Sequence, residues 1–172
     1  MRAFKNSKYH DSVLNVKKFM FEDIDRTLSL KTKAPNFLLA LGLCCYTEYW
    51  GKLKLGQGQN GMSRSSFEAF LDHLDHKYYP RLKAQGVDIY KDIRCGLAHA
   101  YLIEGKTSSI DTILNGNHGI DYDPASNQYK FFVRTYFMEF KAGVNKYIHG
   151  LETETESVDL LEQCLNGRPM LI

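Results

Sequence analysis

The chain has 172 residues, of which 44% are hydrophobic and 24% charged, the composition of an ordinary soluble globular protein. This length predicts a single domain over residues 1–172 with a core of its own. The net charge of +2 is too small to identify a nucleic-acid-binding protein. The charge is unevenly distributed, with 17 Lys and Arg against 11 Asp and Glu up to Lys106, and 5 against 9 beyond it.

No stretch of the sequence predicts a membrane span or a signal peptide. The longest apolar run, residues 37–46, is interrupted by Gly42, and the N-terminus is charged without a following apolar block. The cysteines contain no C-x-x-C pair, which argues against a zinc site or a disulfide framework; they are Cys44, Cys45, Cys95 and Cys164. We therefore expect a cytoplasmic protein with no metal or cofactor and no membrane partner.

Two long helices open the chain. The first, predicted over residues 9–30, has an apolar stripe at helical spacing, formed by Val13, Val16, Met20, Ile24 and Leu28. The second, over residues 37–53, is apolar nearly all round through Cys45, which is typical of a central helix. Its acidic exception, Glu48, is predicted to be exposed on the polar side.

Residues 55–62 form a loop before a third helix. The run from Gly56 to Gly61 satisfies G-x-G-x-x-G, but a helix precedes it and no βαβ pattern follows, so a flexible connection is predicted. Residues 65–68 read as a capping box for a helix that reaches residue 79 and ends at Pro80. Asp72, His73, Asp75 and His76 have a spacing that can ligate a metal. A solvated polar face is favoured, because nothing nearby completes a coordination sphere.

A fourth helix, capped by Asp88, is predicted to end before Gly105. Residues 119–122 and 129–133 then flank a turn at 123–127 and predict a β-hairpin, with a third short strand near residues 110–114. A fifth helix follows over residues 134–151 and a short sixth over residues 157–166.

Arg94, His99 and Tyr101 lie within eight positions of one another in the sequence of the predicted fourth helix. Arginine can hold a phosphate and its developing charge, and histidine can move a proton near neutral pH, so this pair can cleave RNA without a metal. On a regular helix, however, positions five apart lie about 140° and about 7.5 Å apart and do not share a face. Convergence requires an irregular turn, for which Gly96 is the candidate, or a second copy of the chain.

The pattern Arg-x4-His-x-Tyr, from Arg94 to Tyr101, resembles the signature of the HEPN (higher eukaryotes and prokaryotes nucleotide-binding) superfamily. The resemblance implies a mainly α fold, a bundle of four to five helices with a small β-hairpin insertion around residues 110–133. The core would span about residues 9–151, with an acidic C-terminal extension at 152–172. It also implies a homodimer in which two motif helices build one cleft from both Arg94–His99 pairs.

Many members of this superfamily are metal-independent endoribonucleases of toxin–antitoxin and abortive-infection systems. The resemblance therefore implies attack of a ribose 2′-hydroxyl on the adjacent phosphorus, with Arg94 and His99 as catalytic residues. Lys91, Cys95 and Tyr101 are the predicted supporting or RNA-binding residues. In relatives with this pattern, a nucleotidyltransferase-type antitoxin can modify the tyrosine.

Two other interpretations remain open at this point. The position after the arginine is often Asn, Asp or His in active members, whereas this chain has Cys95. That difference favours a non-catalytic HEPN module that binds nucleotide, RNA or a partner protein. In the second interpretation the Arg94–His99 spacing is coincidental and the chain is a structural or interaction protein.

Overall fold

A computed structural model describes residues 3–30, 36–58, 63–99, 107–111 and 114–166. The α-helices in these ranges are α1 (His10–Ser29), α2 (Asn36–Leu55), α3 (Ser63–Leu74), α4 (Tyr78–Ala84), α5 (Gly96–His99), α6 (Val133–Glu152) and α7 (Val158–Leu165). The strands are β1 (Thr107–Asp111), β2 (Ile120–Asp123) and β3 (Gln128–Phe132). A short 3₁₀-helix (Phe4–Asn6) precedes α1, and a π-helical segment (Tyr90–Cys95) leads into α5.

The fold is mainly α with a small sheet, as the sequence predicted. The predicted first, second, fifth and sixth helices correspond to α1, α2, α6 and α7. In α1 the apolar stripe faces the core at Val13, Met20 and Ile24, because residues at this spacing share one side of a helix. Ser157 caps α7 by accepting a hydrogen bond from the Leu160 backbone N–H at 3.3 Å.

Helix α2 is central, as its sequence predicted. It packs against α1, α3, α6 and α7 and buries Leu43, Trp50 and Leu53. The contact with α3 is close at Gly51, where a Cβ atom would lie 1.8 Å from the Ser66 carbonyl oxygen. Among the described residues, Leu38 in the first turn of α2 is an exception, since it is 65% exposed.

The third predicted helix is wrong in its extent. Helix α3 ends at Leu74, and the Asp75 carboxylate accepts the backbone N–H groups of Lys77 and Tyr78 at the start of α4. Pro80 does not end a helix here, because it lies in the first turn of α4, where its missing N–H group has no intrahelical partner to lose. The predicted capping box is also wrong, since α3 begins at Ser63.

The predicted hairpin is confirmed, and a third strand completes the described sheet. Strands β2 and β3 pair antiparallel, with Ile120 opposite Phe131. Strand β1 lies three residues earlier than predicted and runs parallel to β3, so β3 is the middle strand. Because β3 continues directly into α6, the sheet is attached to the end of the helical bundle.

Within the described ranges, none of the helices is both long enough and apolar enough to cross a membrane.

Candidate functional site

The motif lies on a helix that is irregular at its start. Residues 90–95 are π-helical and residues 96–99 are α-helical. The Asp88 carboxylate accepts the Lys91 backbone N–H at 2.9 Å, in agreement with its predicted capping role. Ile93 and Leu97 face the core. We call residues 90–99 the motif helix.

The predicted irregularity at Gly96 is wrong in position. Gly96 has φ −56° and ψ −48°, which are ordinary right-handed helical values. The departure from α-helical geometry lies in the six residues before it, where hydrogen bonds join residues five apart. Arg94 therefore sits in the irregular segment itself. Short π-helical segments are frequent at functional sites because they redirect side chains.

Arg94 is held by Glu48 of α2. Its Nε and Nη2 atoms both donate to Glu48 Oε2, at 2.9 and 2.7 Å. The other carboxylate oxygen, Oε1, accepts from Lys52 Nζ at 2.9 Å, and Ser63 also hydrogen-bonds to this carboxylate. We call Arg94, Glu48, Lys52 and Ser63 the Arg94 cluster. It ties the motif helix to α2 and to the first residue of α3.

The predicted exposure of Glu48 is therefore wrong. Only 8% of its side chain is exposed, compared with 19% for Arg94 and 22% for Lys52. A buried carboxylate is tolerated when charged partners and hydrogen bonds replace its lost water. Here Lys52 lies one helical turn further along α2, and Arg94 lies 46 positions away in the sequence.

The electrostatics of the cluster keep both partners of the central ion pair charged. Burial raises the pKa of Glu48, but hydrogen bonds from Lys52 and Ser63, together with the charge of Arg94, lower it overall. Burial lowers the pKa of Arg94, and the charge and hydrogen bonds of Glu48 raise it overall. Two cations face one carboxylate, so the cluster retains positive charge beside the motif helix.

The Tyr90 ring lies close to Arg94 and to a second arginine, Arg64. The guanidinium carbon of Arg94 is 5.8 Å from the Tyr90 ring centroid, and that of Arg64 is 4.8 Å from it. The Tyr90 hydroxyl hydrogen-bonds to Cys95; its pKa is raised by burial first and by Cys95 second. Tyr90 is half-buried beside Arg94.

The structure describes Lys91 and Cys95 among the remaining predicted site residues, but His99 only in part. Cys95 is half-buried beside Tyr90, and Lys91 is exposed on the motif helix. The backbone of His99 ends α5. The His99 side chain and the whole of Tyr101 lie outside the described residues, and so does any contact between His99 and Arg94.

The structure also locates the acid and histidine residues at the end of α3 and the described part of the G-x-G-x-x-G run. Among the described residues, no group of three or more His, Cys, Asp or Glu could hold a metal ion. Asp72 pairs with Lys83 Nζ at 2.8 Å. His73 does not belong to a solvated face as predicted, because it packs between Phe70 and Tyr147, and burial lowers its pKa to about 4. The described glycines of the G-x-G-x-x-G run follow a helix instead of a strand.

Comparisons with protein-family models, curated proteins and solved structures give no match to this chain. The assignment of a function therefore rests on the chemistry of the Arg94 cluster and its surroundings.

Proposed function

We propose that this protein is a metal-independent endoribonuclease of the HEPN type. The observation that carries the proposal is the fixed position of Arg94. A largely buried carboxylate orients its guanidinium within a π-helical segment, while the side chain keeps 19% of its surface exposed. A guanidinium held in advance of the reaction stabilises a phosphoryl transition state without reorganising.

In the proposed reaction, a ribose 2′-hydroxyl loses its proton to His99 and attacks the adjacent phosphorus. The bond between O2′ and phosphorus forms while the bond to O5′ breaks, and the departing O5′ takes a proton from the partner's His99. Arg94 stabilises the charge of the phosphorane-like transition state. The products are a 2′,3′-cyclic phosphate and a 5′-hydroxyl. DNA lacks the nucleophile and is not cleaved.

The proposed active form is a homodimer with a shared cleft. Helix α2 is apolar nearly all round through Cys45, yet Leu38 and Cys45 are exposed on it. An apolar helix of this kind is ordinarily covered on every side. A second copy of the chain covering this face would lie near the Arg94 cluster, because the charges of Arg94, Glu48 and Lys52 all act on the Cys45 thiol.

Cleavage assays with defined variants test the proposal. We expect EDTA to leave RNA cleavage intact and a 2′-deoxy substitution at the cut site to abolish it. His99→Ala and Arg94→Ala should each reduce the rate by a factor on the order of 10² or more. Arg94→Lys should also be poor, because a point charge does not replace the planar fork. Circular dichroism of each variant verifies that it is folded.

A matched control separates the site from general loss of charge. Arg81 is exposed on α4, and its guanidinium carbon lies 5.4 Å from the Tyr78 ring. Arg81→Ala should retain the cleavage rate. Cleavage that EDTA abolishes, or folded Arg94 and His99 variants with the rate of the unaltered protein, would overturn the assignment.

A second candidate function is favoured by the ion pair itself. Glu48 occupies Nε and Nη2 of Arg94, the edge that would otherwise form a bidentate contact with phosphate. In a non-catalytic module that binds nucleotide, RNA or a partner protein, Arg94 would only tie α2 to the motif helix. Such a module predicts RNA binding without cleavage, whereas a loss of stability in Arg94→Ala is expected for both functions.

An antitoxin of the nucleotidyltransferase type is proposed as a further partner. It would transfer a nucleotide from a nucleoside triphosphate to the hydroxyl of Tyr101 with release of pyrophosphate, and the added bulk and negative charge would block RNA binding. Tyr101→Phe should keep most of the cleavage and resist such an enzyme. A Tyr101→Phe variant that is modified as readily as the unaltered protein would exclude this role.

A further inference from the structure

We propose that Arg64 and Tyr90 form a stacking site for an unpaired nucleotide base beside Arg94, which makes the substrate single-stranded RNA. This inference rests on the proposed function for the role of Arg94. It adds the binding site for the neighbouring base and the strandedness of the RNA.

The stacking site is supported from the core outward. Phe67, which is fully buried, lies 5.7 Å from the Tyr90 ring centroid. The Arg64 guanidinium in turn lies over the Tyr90 ring at 4.8 Å. A packed ring therefore carries a planar cation at the protein surface, where 42% of the Arg64 side chain is exposed. Proteins bind unpaired bases by stacking them on aromatic rings and on guanidinium planes.

Two carboxylates keep Arg64 in place. Arg64 Nη1 donates to Asp88 at 2.8 Å and to Glu68 at 3.2 Å. These contacts restrict the rotamers of a long side chain, so less entropy is lost when a base binds to it. They also offset its positive charge. Arg64 is thus poorly suited to attract an acidic peptide or a phosphate, while its planar surface remains suited to stacking.

The position beside Arg94 links the base to the reacting phosphate. Both guanidinium carbons lie over the same ring, at 4.8 and 5.8 Å from its centroid, so their separation cannot exceed the sum of those distances. A nucleotide and its adjacent phosphate can bridge this span. In a duplex the bases are already paired and stacked and cannot lie on Arg64, which selects a single strand.

Binding measured without cleavage tests this site. The probe is a fluorescent oligoribonucleotide with 2′-O-methyl groups, which lacks the nucleophile, and anisotropy reports its dissociation constant. We expect Arg64→Ala and Tyr90→Leu to weaken binding about 5- to 150-fold, the effect of losing one stacked base. Tyr90→Phe keeps the ring and should bind more tightly than Tyr90→Leu. The duplex of the same sequence should bind at least tenfold more weakly.

Two substitutions separate stacking from charge. Arg64→Lys keeps the charge and removes the planar surface, so it should bind as weakly as Arg64→Ala. Arg81→Ala removes the equivalent cation from the Tyr78 ring on α4 and should leave affinity unchanged. Full affinity in Arg64→Lys, equal binding of duplex and single strand, or no binding of the oligonucleotide by the unaltered protein would overturn the stacking site.

Failure of the base site and failure of the proposed catalysis give different results in these experiments. If RNA is never cleaved but the Arg64 and Tyr90 variants lose affinity as expected, the base site stands and catalysis fails. If cleavage depends on Arg94 while folded Arg64→Ala binds the probe normally, catalysis stands and the base site fails. Arg64→Ala remains informative even if Tyr90→Leu does not fold, because Arg64 lies at the surface.

Discussion

Replacement of Glu48 by Gln tests the interaction that positions Arg94. Glutamine preserves the size of the side chain and removes its charge, so Arg94 and Lys52 lose a common carboxylate that accepts at 2.7 to 2.9 Å. Removing one partner of a buried ion pair costs about 3–5 kcal/mol, and an exposed pair contributes about 0–1 kcal/mol. The two cations are 19% and 22% exposed, which places the loss between these limits.

We expect Glu48→Gln to lower the free energy of unfolding by about 2 kcal/mol and Tm by about 4–8 °C. Urea titration followed by circular dichroism measures the first quantity, and thermal melting the second. Glu22→Gln is the matched control, since Glu22 is 3.9 Å from Lys18 and both side chains are mostly exposed. It should change the free energy of unfolding by less than about 0.5 kcal/mol.

The pH dependence of the same variant provides a second readout. Because the folded protein lowers the pKa of Glu48, its ionised form stabilises the fold above the pKa of an unfolded glutamate. That contribution is lost as the pH falls through the folded pKa. The stability difference between the unaltered protein and Glu48→Gln should therefore shrink below about pH 4.

Two results would refute this reasoning. One is a Glu48→Gln protein that matches the Glu22→Gln control in stability at neutral pH. The other is a double-mutant cycle with Arg94→Gln in which the coupling free energy is close to zero, since contacting charges of this kind should couple by about 1 kcal/mol or more.

Further substitutions test the packing and the proposed dimer. Gly42→Ala should stabilise the fold by about 0.5–1 kcal/mol, because the added Cβ meets nothing within 4 Å. Gly51→Ala should destabilise the fold by about 3 kcal/mol, because its Cβ would lie 1.8 Å from a backbone oxygen of α3. Equal effects of the two substitutions in urea titrations would contradict this packing. Leu38→Glu should convert a dimer to a monomer in sedimentation without loss of helical signal, and an unchanged dimer would exclude this face of α2 as the interface. Tyr79→Phe removes the hydroxyl that donates to Glu139 at 2.6 Å. It should lower the free energy of unfolding by about 1–2 kcal/mol and raise the pKa of Glu139 further, which NMR titration would measure. An unchanged pKa of Glu139 would contradict the hydrogen bond.

Local patterns in the sequence were sufficient to predict most of the helices and the hairpin. In α1 and α6 the apolar residues recur at helical spacing, and the turn between β2 and β3 is rich in residues that favour turns. The same local reasoning ended the third helix at Pro80 and was wrong. A proline in the first turn of a helix costs no hydrogen bond, so its presence alone does not distinguish an end from a beginning.

The sequence by itself determined the mainly α composition and the central position of α2. It also predicted Arg94 and His99 as the residues of a ribonuclease site. Only the tertiary structure decided where Arg94 is held. Glu48 looked like an exposed acid because its partner lies 46 residues away, and helical periodicity carries no information about which distant charge will meet it. The placement of Arg64 over Tyr90 was likewise undetectable, since it depends on how α3 packs against the motif helix. Periodicity reports which side of a helix is apolar, whereas ion pairs and ring contacts depend on distances between elements that exist only in the folded chain.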